Sequence, residues 1–158
     1  MDTPKHNSPL ALVACALVAV AAGGCGASKL GLLKHEVEFN EQVLRADRPV
    51  VVEFYKPGCA GCLFSDPMLD QLVDEYGDRV IFVRFELANF WGQIASESIW
   101  KKYRVAFFPT VLLFVGGREK HRWVVDYNGG AYRKVLDEVA GPPPPNKPAA
   151  GGRGVAAM

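Results

Sequence analysis

Between residues 35 and 140 the apolar residues alternate between short continuous runs and stretches spaced at helical intervals. Val50-Val51-Val52-Glu53-Phe54-Tyr55 is β-branched and aromatic except at Glu53, the pattern of a strand buried on both faces. Val80-Ile81-Phe82-Val83-Arg84-Phe85 repeats it, and residues 110–115 supply a third strand after Pro109. Gly116-Gly117 then reads as a turn, with Arg122-Trp123-Val124-Val125-Asp126-Tyr127 as the returning strand of a hairpin. From Cys59 to about Glu75, the residues Cys62, Leu63, Met68, Leu69, Leu72, Val73 and Tyr76 keep helical spacing, with Pro67 as a kink. Three more helices are predicted. One covers residues 41–46, capped by Asn40 with Phe39 and Leu44 as a hydrophobic staple; the others cover about 93–103 and 130–139. A helix between the first two strands implies a parallel, right-handed βαβ unit. The order is therefore βαβαββα behind a leading helix, an α/β fold with a central mixed sheet flanked by helices.

The pattern changes at both ends. Residues 10–22, LALVACALVAVAA, are wholly apolar. At about 1.5 Å per residue they cover about 20 Å, short of the roughly 30 Å of a hydrocarbon core. With Lys5 and His6 ahead of it, the run reads as the apolar region of a secretory signal. Two endings fit. Ala19-Val20-Ala21 suits ordinary cleavage, whereas Ala22-Gly23-Gly24-Cys25 resembles a bacterial lipoprotein box, in which Cys25 is lipidated. A single cysteine directly after the apolar run, followed by Gly26-Ala27-Ser28, favours lipidation of Cys25. At the other end, residues 141–158 read GPPPPNKPAAGGRGVAAM, and four consecutive prolines without apolar bulk predict a disordered or polyproline tail. The expected organisation is a signal over 1–24, a linker over 25–34, one folded domain over 35–140 and a tail over 141–158.

Composition narrows the class only a little further. With 49% hydrophobic residues the chain is globular rather than disordered. A net charge of +1 with no long run of either sign gives no nucleic-acid footprint.

The chemistry points to Cys59-Ala60-Gly61-Cys62, placed after a buried strand and in the first turn of a helix. Helix N-terminal N–H groups and the macrodipole stabilise an anion there, so a cysteine at that place is partly thiolate near neutrality. Lys56 adds positive charge, and a cysteine three residues on is one turn away, near enough to close a disulfide. The expected mechanism has Cys59 attack a substrate disulfide and Cys62 resolve the mixed disulfide. A structural disulfide and half of a metal site are the competing readings. Zinc needs two more ligands, yet Cys15 and Cys25 belong to the export segment and His35 and His121 are isolated, so no metal site and no cofactor are expected.

On these residues the stretch 35–140 resembles the thioredoxin superfamily. Glu53 stands six positions before Cys59, where the family has a buried acid; Pro67 stands five after Cys62, where it has a kinking proline. Phe108-Pro109-Thr110, followed by Val111-Leu112-Leu113-Phe114, matches the proline with a cis peptide that opens the strand facing the cysteines. Arg84 aligns with a basic residue of the second strand. The resemblance implies a thioredoxin-like fold, a Cys59–Cys62 redox disulfide and Glu53 as proton acceptor. It also implies a peptide groove shaped by Pro109, with Phe108 and Gly58 at its edges. The chain departs from thioredoxin in having Gly58 for tryptophan, Ala60-Gly61 for Gly-Pro, and a glutamate for the usual aspartate. It is also longer between Leu87 and Val105, in a stretch holding Asn89-Phe90-Trp91 and Trp100; these aromatics read as core, with an extra loop that shapes a partner site as the alternative.

The expectation is an exported, monomeric thiol–disulfide oxidoreductase acting on disulfides of exported proteins, served by a separate redox partner. It would be held at a membrane facing the periplasm through Cys25, or be soluble in the periplasm. The alternative is a non-enzymatic binding lipoprotein or metal carrier on the same fold.

Overall fold

A computed structural model of the chain describes residues 28–142. Five strands form one sheet: β1 (Gly31–Leu33), β2 (Val50–Tyr55), β3 (Ile81–Glu86), β4 (Thr110–Val115) and β5 (Arg118–Val124), in spatial order β1-β3-β2-β4-β5. β1 and β2 run parallel to β3, while β4 is antiparallel to β2 and to β5. Around the sheet lie α1 (Glu36–Phe39), α2 (Ala60–Tyr76), α3 (Glu97–Tyr103) and α4 (Gly129–Ala140). The expected βαβ unit is β2–α2–β3.

The strand period of two divides the central strand between two cores. Val50, Val52 and Phe54 enter one with Phe39, Phe85, Tyr103, Leu112 and Phe114. Val51 enters the other with Leu69, Leu72, Tyr76, Val111, Tyr132 and Leu136, contributed by α2, β4 and α4. Each such side chain, fully buried, contributes about 1.5–3 kcal/mol. Glu53 has the parity of Val51, so the strand delivers its carboxyl into the layer between sheet and α2.

β2 and β4 occupy the predicted residues. Elsewhere the structure moves the boundaries. The leading helix begins at Glu36 rather than after Asn40, whose φ of −62° and ψ of −40° are helical. Glu38 is the reason: its Oε2 accepts from the N–H groups of Lys34 and His35 at 2.8 and 2.9 Å, capping the helix five residues early. Residues Asn40–Leu44 continue α1 as a wider π turn. The last strand lies at Arg118–Val124, not 122–127. Gly116 and Gly117, at φ +55° and +72°, reverse the chain in two residues, so pairing starts at once with Val115 opposite Arg118. Apart from Trp123 this strand is exposed or half-buried, and its apolar pattern is correspondingly weak. α3 begins at Glu97, where the Ser96 hydroxyl accepts from the N–H of Ile99. Leu63, expected on the core face of α2, is 70% exposed. The sheet also starts at Gly31, inside the stretch read as a linker, because three residues suffice when β3 provides the pairing. The signal, Cys25 and most of the proline tail lie outside the described residues.

Candidate active site

β2 ends at Tyr55 and the chain turns through Lys56-Pro57-Gly58, with the N–H of Cys59 donating to the Lys56 carbonyl at 3.3 Å. Gly58 takes a left-handed φ of +71°, which a side chain would strain. Cys59 is the extended N-cap of α2, and its Sγ accepts from the backbone N–H of Cys62 at 3.2 Å. The sulfur thereby occupies the place where a capping oxygen usually sits, at the positive end of a seventeen-residue helix. Cys59 and Cys62 are joined in a disulfide, 5.3 Å between Cα atoms. Cys59 is 9% exposed and Cys62 4%, so the outer position belongs to Cys59.

Across from the pair, the Phe108–Pro109 bond is cis. A Cβ placed on Gly61 would lie 3.0 Å from Pro109 Cδ, 3.3 Å from the Phe108 carbonyl oxygen and 2.9 Å from Tyr127 Oη. Phe108 and Pro109 thus stand directly against the dipeptide between the cysteines. Gly58 meets a different neighbour, the Phe90 ring, 2.6 Å from an added Cβ.

Beneath the first turn of α2 lies Glu53, wholly buried. The parallel register sets it opposite Arg84. Arg84 donates to Glu53 Oε2 from Nη2 at 2.6 Å and from Nε at 3.2 Å. The same guanidinium holds Asp66 and lies over the Tyr55 ring, 4.6 Å from its centroid. The other carboxylate oxygen, Oε1, is 2.6 Å from the Ser65 hydroxyl, whose oxygen is also 2.9 Å from the Cys62 carbonyl. Burial pushes the Glu53 carboxyl above its ordinary pKa, while Ser65 and Arg84 pull against that shift. Burial draws the Arg84 guanidinium down, but Glu53 and Asp66 more than offset it and its pKa is raised.

The structure therefore brings together Cys59, Cys62, Gly58, Phe108 and Pro109 at one surface, with Glu53 directly below. Ser65 and Asp66 are not legible as site residues from the sequence motif. A signal for Ser65 exists all the same: it falls on the buried stripe Cys62, Ser65, Leu69, Leu72, Tyr76, where a hydroxyl needs a partner. Phe90 and Trp91 are not core residues, being 59% and 82% exposed, because the loop that carries them closes on itself. Trp100, also expected in the core, is exposed, and its Nε1 donates to the Val105 carbonyl at 2.9 Å. Among the described residues no group of three or more His, Cys, Asp or Glu side chains is arranged to hold a metal ion. What the arrangement can do is exchange disulfides: an N–H-stabilised sulfur outside, a second sulfur one turn on, and a carboxyl able to take a proton below.

The thioredoxin family model matches residues 32–140. The thioredoxin of the bacterium Acidithiobacillus ferridurans is 30% identical over 80 residues, which cover 51% of this chain and 68% of that protein. A chloroplastic M-type thioredoxin of Brassica napus is 35% identical over 78 residues, 49% of this chain and 41% of that one. This chain thus spans less than half of the Brassica protein. Among solved structures, the thioredoxin of Malassezia sympodialis superposes with a TM-score of 0.59 at 18% identity, over 72% of this chain and 93% of that one, a likeness of fold.

Proposed function

The chain belongs to the thioredoxin family, and we propose that it is a thiol–disulfide oxidoreductase that reduces disulfides of exported proteins. The observation that carries this reading is Cys59 at the N-cap of α2, its sulfur held by an N–H and paired with Cys62 against the cis Phe108–Pro109 bond. In the reduced protein, the Cys59 thiolate attacks one sulfur of a substrate disulfide. A Cys59–substrate bond forms, the substrate's S–S bond breaks, and the other sulfur leaves as a thiolate that water protonates. Cys62 then gives its proton to the Glu53 carboxylate and attacks Cys59 Sγ. The Cys59–substrate bond breaks, the second substrate sulfur departs and is protonated, and Glu53 returns its proton to solvent. The substrate has gained two electrons and two protons, and the protein holds the Cys59–Cys62 disulfide. A partner dithiol restores the reduced pair.

Glu53 suits its part because opposing influences act on it. Desolvation raises its proton affinity, while Arg84 and Ser65 keep an ionised form attainable. Gly58, Phe108 and Pro109 edge the surface over which the substrate chain would lie.

Insulin reduction by the protein with dithiothreitol tests the reading. Catalysed turnover that Cys59→Ser abolishes is the expected result. Stoichiometric metal uptake without turnover would replace it with a metal carrier. Anchoring through a lipid on Cys25 belongs to the same proposal, and so does a position facing the periplasm. Mass spectrometry of the protein from a bacterial host should show a diacylglycerol adduct that Cys25→Ser removes. Cleavage after Ala21 with no adduct would leave a soluble protein.

A further inference from the structure

Beside the disulfide stands a loop that its own hydrogen bonds close. Residues 88–96 leave β3 and return on themselves: Ala88 and Ile94 form an antiparallel bridge. Asn89 N–H donates to the Gln93 carbonyl at 2.9 Å, Gly92 N–H to the Asn89 carbonyl at 2.9 Å, and Ala95 N–H to the Leu87 carbonyl at 2.8 Å. The Asn89 side chain fills the inside. Its Oδ1 accepts from the N–H groups of Trp91 and Gln93 at 3.0 Å each, and its Nδ2 donates to Gln93 Oε1 at 2.7 Å. Gly92, at φ +84°, turns the chain. None of these bonds uses the side chain of Phe90 or Trp91. The two rings are carried at the tip in edge-to-face contact, 5.3 Å between centroids. Such exposure of large apolar surface on a well-bonded loop marks a contact site. The loop is also pinned to the active site, since Lys56 Nζ donates to the Phe90 carbonyl at 3.5 Å and the Phe90 ring covers Gly58.

We infer that Phe90 and Trp91 are specificity-determining residues: they select substrates in which the attacked cysteine is flanked by a large apolar or aromatic residue in an extended segment of chain. The inference rests on the oxidoreductase reading above. It follows from reach. Across a disulfide the Cα atoms lie about 5.5 Å apart, and the next residue is about 3.8 Å further along the chain. The Cα of the residue flanking the substrate cysteine therefore lies within about 10 Å of the Cys59 Cα. Gly58, with the Phe90 ring upon it, is the residue adjacent to Cys59, so the flank and the aromatic pair share one neighbourhood. Phe64 and Tyr127 make a second exposed aromatic pair on the Gly61 side, 6.4 Å between centroids, so the disulfide opens between two apolar banks. A folded partner keeps the apolar flanks of its disulfides inside its own core. An unfolded one offers them, and the pair of rings would bury them.

The test uses the protein and its Trp91→Ser variant, chosen because only the backbone N–H of Trp91, which the substitution keeps, enters the loop's hydrogen bonds. Two synthetic peptide disulfides serve as substrates, identical except for Phe or Ser beside the cysteine. Wild type should reduce the Phe peptide with a kcat/KM about tenfold higher, equivalent to about 1.4 kcal/mol and near the upper range for an aromatic contact. In Trp91→Ser the preference should shrink to about twofold, reflecting the Phe90 contact that remains. The ratio is internally normalised, so a general loss of activity does not mimic the effect. Equal rates on both peptides in wild type, with hydroxyethyl disulfide still turned over, would overturn the inference and leave the oxidoreductase. Failure to turn over hydroxyethyl disulfide as well would remove the oxidoreductase reading itself and the inference with it. Binding of wild type to anionic lipid vesicles, lost in Trp91→Ser while peptide preference is unchanged, would assign the loop to a membrane surface instead.

Discussion

The hydroxyl of Ser65 lies 2.6 Å from Glu53 Oε1 and 2.9 Å from the Cys62 carbonyl oxygen, in a space closed to solvent. A serine hydroxyl has one hydrogen, so it serves one acceptor at a time. With Glu53 ionised, the carboxylate is the stronger acceptor and holds it. Once Glu53 takes up a proton, the hydroxyl is released towards the backbone of Cys62. The protonation state of the buried acid is thereby coupled to the turn of helix that carries the resolving cysteine.

Ser65→Ala should therefore weaken the domain unequally with pH. Above the Glu53 titration the loss should be about 1.5–3 kcal/mol, the worth of a hydrogen bond to a charged group. Below it the loss should be smaller. The Glu53 carboxyl, already raised, should move higher still. Urea unfolding on both sides of the transition, with an NMR titration of the carboxyl carbon, reads both quantities. An equal loss at both pH values would place the hydrogen on the Cys62 carbonyl throughout.

Glu53→Gln should change the slope of stability against pH. The carboxyl's pKa is raised in the folded state, so between its unfolded value of about 4.3 and its folded value the native chain binds more protons than the unfolded one. Its contribution is complete below the unfolded value and is lost as pH rises through the folded one. Wild type should accordingly lose stability relative to Glu53→Gln across that window and run parallel to it above. Relative stability that increases with pH there would mean that Arg84 outweighs burial. In stopped-flow experiments the same variant should slow resolution of the mixed disulfide, with the first attack unaffected.

Reduced protein should be alkylated first at Cys59. Its sulfur is the N-cap acceptor of α2 and the more exposed of the two, whereas Cys62 lies within the helix. Iodoacetamide labelling at neutral pH followed by peptide mass spectrometry measures the order. Equal rates at both cysteines would contradict the division into nucleophile and resolver.

Two glycines separate backbone strain from crowding. Gly92, at φ +84°, has nothing within 4 Å of an added Cβ, whereas Gly58, at φ +71°, meets the Phe90 ring. Gly92→Ala should cost about 1–2 kcal/mol from the left-handed backbone alone. Gly58→Ala should cost more and displace Phe90, visible as altered preference between the Phe and Ser peptides. Equal costs with unchanged preference would show that the ring yields freely.

Elements whose signal is local were legible along the chain. β2 and β4 are continuous apolar runs because both their faces are buried, and α2 announces itself by helical spacing behind a turn. The cysteine pair at the mouth of that helix could be read along the chain, and the resemblance to the thioredoxin superfamily added Glu53 and Pro109. Features that depend on residues far apart took shape only through packing. β1 has three residues and too little pattern of its own, and it exists through its pairing with β3, some fifty positions away. β5 took its register from a two-glycine turn rather than from its mostly polar face. Ser65, Asp66 and Arg84 come from a helix and a strand, and they meet at Glu53 because the crossover lays α2 across the β2–β3 pair. Trp91 looks like core in the sequence, since a tryptophan beside a phenylalanine is usually buried. Its position outside follows from hydrogen bonds between Asn89 and Gln93 that close the loop before either ring can reach the interior. Periodicity records which face of an element is covered, but the identity of what covers it is set by chain reversal and packing, which no local pattern encodes.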